Sequence, residues 1–379
     1  MMKRLFVICQ RYYDNDFHNV TIGGIQTYIS NLCQIGNQLG FRCCILQFDT
    51  KNREREFLYG KVIGVDVSQY KRFKHKSKAL FNCFKEMFCP DTDVLVYATE
   101  ELAQKESRNY AVSIQHGISW DIQSNHSVSR QKNIFAIFKN AIQGVRRTRY
   151  VFNTKHLICV DYNYPNWYRT QVRHPEAKIT VIPNFASIAP ECLDKQFDGT
   201  ALNILFARRF QPYRGSRLFA SVMQRLLGEY PDISLTLAGD GPDEQWLRDT
   251  FAGNDRVVFT HYKSDESLEF HTNYHIAVVP TVGSEGTSLS LLEAMSAQCA
   301  VVCTNVGGMT NIVIDNYNGL MVNADEESLY FSIKQVITDQ NLRFRLAQRA
   351  YETVREGFSY DLWKARWIDV LKAHTPNQE

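Results

Sequence analysis

No apolar run in the 379 residues approaches the roughly eighteen needed to cross a bilayer, so no transmembrane helix is expected. The first apolar run, Leu5 to Cys9, is too short for a secretory signal core and reads as an opening strand. Ten cysteines occur without a single C-x-x-C, and most lie in apolar segments. They read as small core residues in a reducing, cytoplasmic compartment, and the adjacent Cys43-Cys44 pair cannot easily share a bond. No His/Cys cluster has zinc spacing, and no carboxylate pair is identifiable at glycosidase geometry. No G-x-G-x-x-G follows the first strand, which argues against a dinucleotide site. The two D-x-D triplets, Asp14/Asp16 and Asp91/Asp93, lie well beyond one strand and just before another, and read as loop acids.

What is present is uneven in charge. Residues 1–190 hold 26 Lys and Arg against 15 Asp and Glu, a net of +11; residues 191–379 hold 17 against 25, a net of −8. The basic half faces something anionic or its acidic partner half. Two basic amphipathic helices stand out. Residues 71–87 set Phe73, Leu80, Phe84 and Met87 against six Lys and Arg from Lys71 to Lys85. Residues 130–149 set Ile134, Ile137, Phe138, Ala141 and Ile142 against Lys132, Lys139, Arg146, Arg147 and Arg149. For the second, an ordinary solvated surface helix and an interfacial helix at the inner face of an anionic membrane or a lipid-diphosphate acceptor are both open. Nucleic-acid binding fits poorly, because the basic helices lack interleaved stacking residues and the second half is acidic.

The pattern is of short buried strands alternating with helices, in two series. The first runs through 5–9, 41–48, 93–98, 111–114, 157–160 and 179–182, the second through 202–207, 234–238, 257–260, 276–280, 300–302 and 319–322. Between them, Pro183-Asn184 opens an extended polar stretch through Pro190, Asp194, Asp198 and Gly199, read as a linker. The stretch 277–308 holds a strand, a polar turn (Thr281–Gly286), a helix pattern with Leu289, Leu292 and Met295 on one face, and another strand closed by Gly307-Gly308. The helix start at Thr287, Ser288 and Leu289 offers free backbone N–H groups to a phosphate. Glu293 lies about 7–8 Å further along the axis, close enough to accept hydrogen bonds from a diol without strongly repelling the phosphate.

Glu285 and Glu293 bracket seven residues, and SEGTSLSLLEAM resembles the E-x7-E signature of retaining GT-B glycosyltransferases of family GT4. Other segments carry the same resemblance: Gly23-Gly24 before a helix, Gln115-His116-Gly117 after a strand, VIPN at 181–184, the loop Arg208 to Gly215, and Gly239-Asp240-Gly241-Pro242. The family's Phe-Gly is Thr287-Ser288 here, and the glycine expected before Arg209 is Arg208. The resemblance implies an α/β protein of two Rossmann-like doubly wound domains facing across a cleft. These are expected at 1–190 (acceptor side) and 191–357 (nucleotide sugar), with a terminal helix, 358–379, crossing back to the first domain.

It also implies roles. Arg209 and Arg214, with Gly286, Thr287, Ser288 and Leu289, would hold the donor diphosphate. Glu285 would meet sugar hydroxyls and Glu293 the ribose. Gly23, Gly24 and Gly239 would let backbone approach the donor, and His116 would position the sugar and diphosphate; His261 to Lys263 would edge the base. The expected catalytic set is His116, Glu285, Arg209 and Arg214. The implied reaction is retaining transfer of a hexose from a UDP- or GDP-linked donor to a glycan or lipid-linked acceptor, as in bacterial surface polysaccharide assembly, with no metal and no cofactor. A sugar-nucleotide epimerase on the same fold and a non-catalytic sugar-binding module are the alternatives.

Overall fold

The computed structural model describes residues 2–21, 23–118, 134–172, 178–190, 201–263 and 265–375. The chain divides into two compact units. One comprises 1–116, 142–182 and 363–379; the other comprises 117–141 and 183–362. The strand patterns assigned to each series fold into one sheet each, and no described helix is long and apolar enough to cross a membrane.

The elements of the first half run β1 (Arg4–Ile8), α1 (Gly24–Gln38), β2 (Arg42–Asp49), β3 (Arg53–Phe57), β4 (Gly60–Asp66), α2 (Phe73–Met87), β5 (Val94–Tyr97), β6 (Val112–Gln115), α3 (Ile134–Thr148), β7 (His156–Cys159), α4 (Asn163–Gln171) and β8 (Lys178–Val181). The sheet order is β3-β4-β2-β1-β5-β6-β7-β8, parallel except for β3. Strands buried on both faces need near-continuous apolar sequence, which β1, β5 and β7 have. The β3–β4 hairpin was not legible in the sequence. Its outer strand, REREF, is charged, and Glu54 and Glu56 pair with Lys61 and Arg42. A charged edge strand of this kind closes the sheet to further pairing. Asp93 of the second D-x-D triplet is buried against Arg4, 2.7 Å away, and so serves the fold.

The second half runs β9 (Leu202–Ala207), α5 (Ser216–Glu229), β10 (Ile233–Ala238), α6 (Glu244–Thr250), β11 (Val257–Thr260), α7 (Ser267–Thr272), β12 (Ile276–Val279), α8 (Leu289–Ser296), β13 (Ala300–Thr304), β14 (Leu320–Val322), α9 (Glu326–Thr338), α10 (Gln340–Gly357) and α11 (Tyr360–His374). The six strands are all parallel, in the order β11-β10-β9-β12-β13-β14. Cores form on both sheet faces, one around Phe206, Phe219 and Leu226, the other around Leu291, Met295 and Val354. The order reverses between β9 and β12, and a doubly wound sheet opens its ligand crevice at the carboxyl ends of strands at such a reversal.

Residues from Trp363 onward belong with the first unit. Trp367 and Trp363 of α11 pack edge-on to Tyr28 of α1, and Trp367 Nε1 donates to the Tyr28 hydroxyl at 2.7 Å. The linker is described as far as Pro190, where Ala186 bridges to Ser359; its remainder, with Asp194, Asp198 and Gly199, lies outside the described residues, as does Lys132. The nine cysteines among the described residues are all free thiols.

Candidate functional site

Arg208 directly follows β9 and Thr281 follows Pro280 at the end of β12, so both leave the sheet at its reversal point. The side chain of Arg208 turns inward and is almost wholly buried. Its Nη2 donates to Glu285 Oε2 at 2.6 Å, and its Nη1 donates to Thr281 Oγ1. Arg214 Nη1 donates to the same Glu285 oxygen, and Thr281 Oγ1 donates to it at 3.3 Å. One carboxylate oxygen thus holds two guanidinium groups. Burial pushes both arginines down to about 10, still charged at neutral pH. The Nε of Arg208 finds no partner among the described residues, an unmade bond that a purely structural ion pair does not explain.

Arg209, the residue expected in the phosphate site, lies outside this cluster. Its side chain is 67% exposed, and its nearest carboxylate, Asp240, is 3.8 Å away. Position 208, which has a glycine in the resembled motif, supplies the inward cation in place of Arg209.

The loop carrying Glu285 is fixed by backbone contacts. Val282 N and Gly283 N both donate to Tyr213 O at 2.9 Å, and Gly308 N donates to Glu285 O at 2.7 Å. Asn184 Nδ2 donates to Thr287 O at 2.6 Å, and Thr304 Oγ1 to Thr281 O at 2.5 Å. Gly215 has φ +82°, and a Cβ there would collide with the Pro280 carbonyl. Gly307 is pressed against Glu285 in the same way. At Gly239, expected beside the donor, a Cβ would meet the Arg208 carbonyl, so the glycine lets the 239–242 turn lie against the arginine loop.

Ser288 precedes α8 in extended conformation, with no side-chain cap on the helix start. Thr287 and Ser288 are buried, Leu289 is half-buried, and Gly286 lies against Gly308. The helix start is thus held beside the arginine pair through Glu285. One turn further along, Glu293 accepts a hydrogen bond from Ser267 of α7, and burial pushes its carboxyl up to about 7. Tyr262 lies near enough for the Glu293 charge to raise its hydroxyl pKa, and its ring stacks on Phe270 at 4.5 Å.

In the first unit, His116 follows β6, and its Nε2–H donates to Ala98 O at 2.9 Å. Burial drives its pKa down to about 4, so the ring is neutral at pH 7. With Nε2 protonated, Nδ1 is an acceptor. The ring packs edge-on to Tyr28, one turn into the helix that opens at Gly23-Gly24, so these three expected residues share one end of the first sheet. Gly23 itself has extended backbone, φ 168°.

The family described as Glycosyl transferases group 1 matches residues 201–339, which include Arg208, Arg214, Glu285 and Glu293. An uncharacterised glycosyltransferase of Methanocaldococcus jannaschii is 25% identical over 350 residues, covering 90% of this chain and 92% of its own. The likeness is thus to glycosyltransferases, over residues 201–339 for the group 1 family and over most of the chain for this relative. A second uncharacterised glycosyltransferase of that organism is 27% identical over 174 residues, and the match spans 45% of this chain and 44% of that protein. Among solved structures, sucrose-phosphate synthase from Thermosynechococcus elongatus superposes with a TM-score of 0.75 at 16% identity, covering 98% of each chain. The Anabaena protein HepE, solved with UDP and glucose, superposes at 0.68 and 14%, covering 98% of this chain and all of the other. These likenesses establish the two-domain, Rossmann-like GT-B fold. The group 1 match covers the second sheet through α9, while the first sheet's groups, His116 and Gly23-Gly24, lie outside it.

Proposed function

We propose that this chain transfers a hexose from a UDP- or GDP-linked donor to a glycan or lipid-linked saccharide, with retention at the anomeric carbon and without a metal ion. The observation that carries this reading is a buried arginine, Arg208, and a half-buried one, Arg214, sharing one oxygen of Glu285 at the reversal point of the second sheet. Two cations against one carboxylate leave a surplus positive charge, and the uncapped start of α8 adds a partial one. A nucleoside diphosphate is the ligand that such a surplus suits. Glycosyl–phosphate cleavage builds negative charge on the leaving diphosphate, and fixed cations aimed at it lower the barrier.

In this reading Arg208 and Arg214 hold the diphosphate, and Glu285, released from them, accepts hydrogen bonds from sugar hydroxyls. Glu293 takes the ribose diol, and Tyr262 borders the nucleoside. His116, neutral and with a free acceptor at Nδ1, receives a hydroxyl hydrogen bond and has too low a pKa to serve as a general base at pH 7. The likeness to HepE, solved with UDP and glucose, supports the choice of donor class.

The test is a panel of nucleotide sugars in thermal-shift and nucleotide-release assays. A true donor at a hundred times its Kd adds about 2.7 kcal/mol of stability, and release requires an acceptor. Absence of a shift with every UDP and GDP sugar sinks the proposal. Sugar-nucleotide conversion without acceptor would replace it with epimerisation.

A further inference from the structure

The two basic amphipathic helices end in opposite situations. In α2 the apolar side is covered, with Leu80, Phe81 and Phe84 completely buried against the first sheet. In α3 it is bare. Ile134, Phe135, Ile137, Phe138, Ile142 and Val145 are all exposed, Phe135 by 80% and Phe138 by 68%. At about 100° per residue these six and Ala141 fall within an arc of about 160°, one continuous side of the helix. Together they expose on the order of 700 Å², above the ~300–600 Å² of the largest patch on an ordinary soluble protein.

The helix is not loose at its far end. Arg147 pairs with Glu101, Gly144 is buried, and Tyr164 OH donates to Arg147 O at 3.5 Å. Lys139 and Arg146 lie along one border of the apolar side, and Arg149 follows within one turn. No Asp or Glu occurs between Asp121 and Asp161, whereas seven Lys and Arg do. A face that is apolar in the middle, cationic at its border and free of acids complements an anionic lipid surface, aliphatic chains below and phosphates at the rim. Fifteen residues span about 22 Å at 1.5 Å each, short of the hydrocarbon core of ~30 Å, so such a helix lies along the surface.

We propose that α3 docks the chain on an anionic phospholipid bilayer, inserting Phe135 and Phe138 below the headgroups with Lys139 and Arg146 against the phosphates. The proposal does not depend on which donor or acceptor the chain uses.

The experiment is vesicle cosedimentation of the full chain with phosphatidylcholine alone and with phosphatidylcholine plus phosphatidylglycerol. Wild type is expected to sediment with the anionic vesicles, on the order of tenfold more tightly than with neutral ones, and to be released by salt. The double variant F135S/F138S is expected to lose at least tenfold, and K139E/R146E to lose the anionic preference while keeping weak binding to both. Melting temperature and the thermal shift given by the donor nucleotide establish that each variant is folded. Wild type that stays in the supernatant, or folded F135S/F138S that sediments as wild type does, overturns the proposal. A dimer in sedimentation velocity that F135S/F138S dissolves, without vesicle binding, also overturns it and makes the face a contact between copies of this chain.

Discussion

Arg208→Ala and Arg209→Ala differ by one position and are expected to differ by two to three orders of magnitude in activity. Removing Arg208 takes one of two cations from Glu285 Oε2 and, on the proposed function, one donor from the diphosphate. Loss of one charge-stabilising donor costs about 2.7–4 kcal/mol of barrier, 10²- to 10³-fold in kcat. Stripping one partner from a buried ion pair costs about 3–5 kcal/mol of stability when the other charge is abandoned. Glu285 keeps Arg214 and Thr281, so the stability loss should fall below that range. Arg209 is exposed and 3.8 Å from Asp240, a surface pair worth about 0–1 kcal/mol, and its removal should leave kcat within a factor of about two. Arg208→Lys separates charge from geometry. It keeps the cation but cannot reach Thr281 and Glu285 together, and should recover stability better than rate. The assay is nucleotide release at saturating donor, with melting temperatures measured alongside. If Arg209→Ala is inactive and folded while Arg208→Ala turns over normally, the inward assignment of Arg208 is refuted.

Gly215→Ala forces a Cβ into the Pro280 carbonyl at a φ of +82° and should lower stability by more than about 1 kcal/mol, read in urea melts; a neutral result would mean the loop can shift freely. Trp367→Phe removes the donor to the buried Tyr28 hydroxyl and should cost about 1–3 kcal/mol, with donor affinity unchanged in a thermal-shift titration. Glu293 is pushed up to about 7, so it gains its charge across the neutral range. As a ribose acceptor it should make the donor KM fall as pH rises from 6 to 8, and Glu293→Gln should flatten that profile. The same raised pKa means that ionising Glu293 disfavours the fold: its stability contribution is complete below the unfolded value of about 4.3 and is lost as pH rises through 7.

The parallel sheets were legible because doubly buried strands leave unbroken apolar runs, as in LFVIC and ILFA. The β3–β4 hairpin was not, because REREF is a solvent-facing edge whose pairing comes from its neighbour and leaves no apolar trace. The site was legible where residue type alone limits the chemistry, as with Glu285, Arg214 and the helix start after Ser288. It was not legible where a side-chain direction decides: nothing in Arg208-Arg209 says which guanidinium turns inward. Thr281 and Asn184 were missed as supports for a related reason. Their work is hydrogen bonding to residues four or more positions away, and such bonds leave no periodic pattern. Gly239 was read as room for a ligand; that a Cβ there would also meet the Arg208 carbonyl was not legible in the sequence.

Glu285 explains why the resting cluster can be stable and still be ready to bind. Two guanidinium groups, one buried and one half-buried, repel when held at one oxygen, and the shared carboxylate relieves this without filling every donor, since Arg208 Nε has no partner among the described residues. A diphosphate brings more negative charge than one carboxylate, so in the proposed reaction it competes for the same donors. The exchange needs Glu285 to leave without the loop collapsing. Tyr213 O, Gly308 N and Asn184 hold that loop through its backbone, and none of those bonds involves the carboxylate. In the proposed reaction the loop therefore keeps its shape while its side chain changes partner, and the carboxylate would become free for sugar hydroxyls only when a phosphate has taken its place.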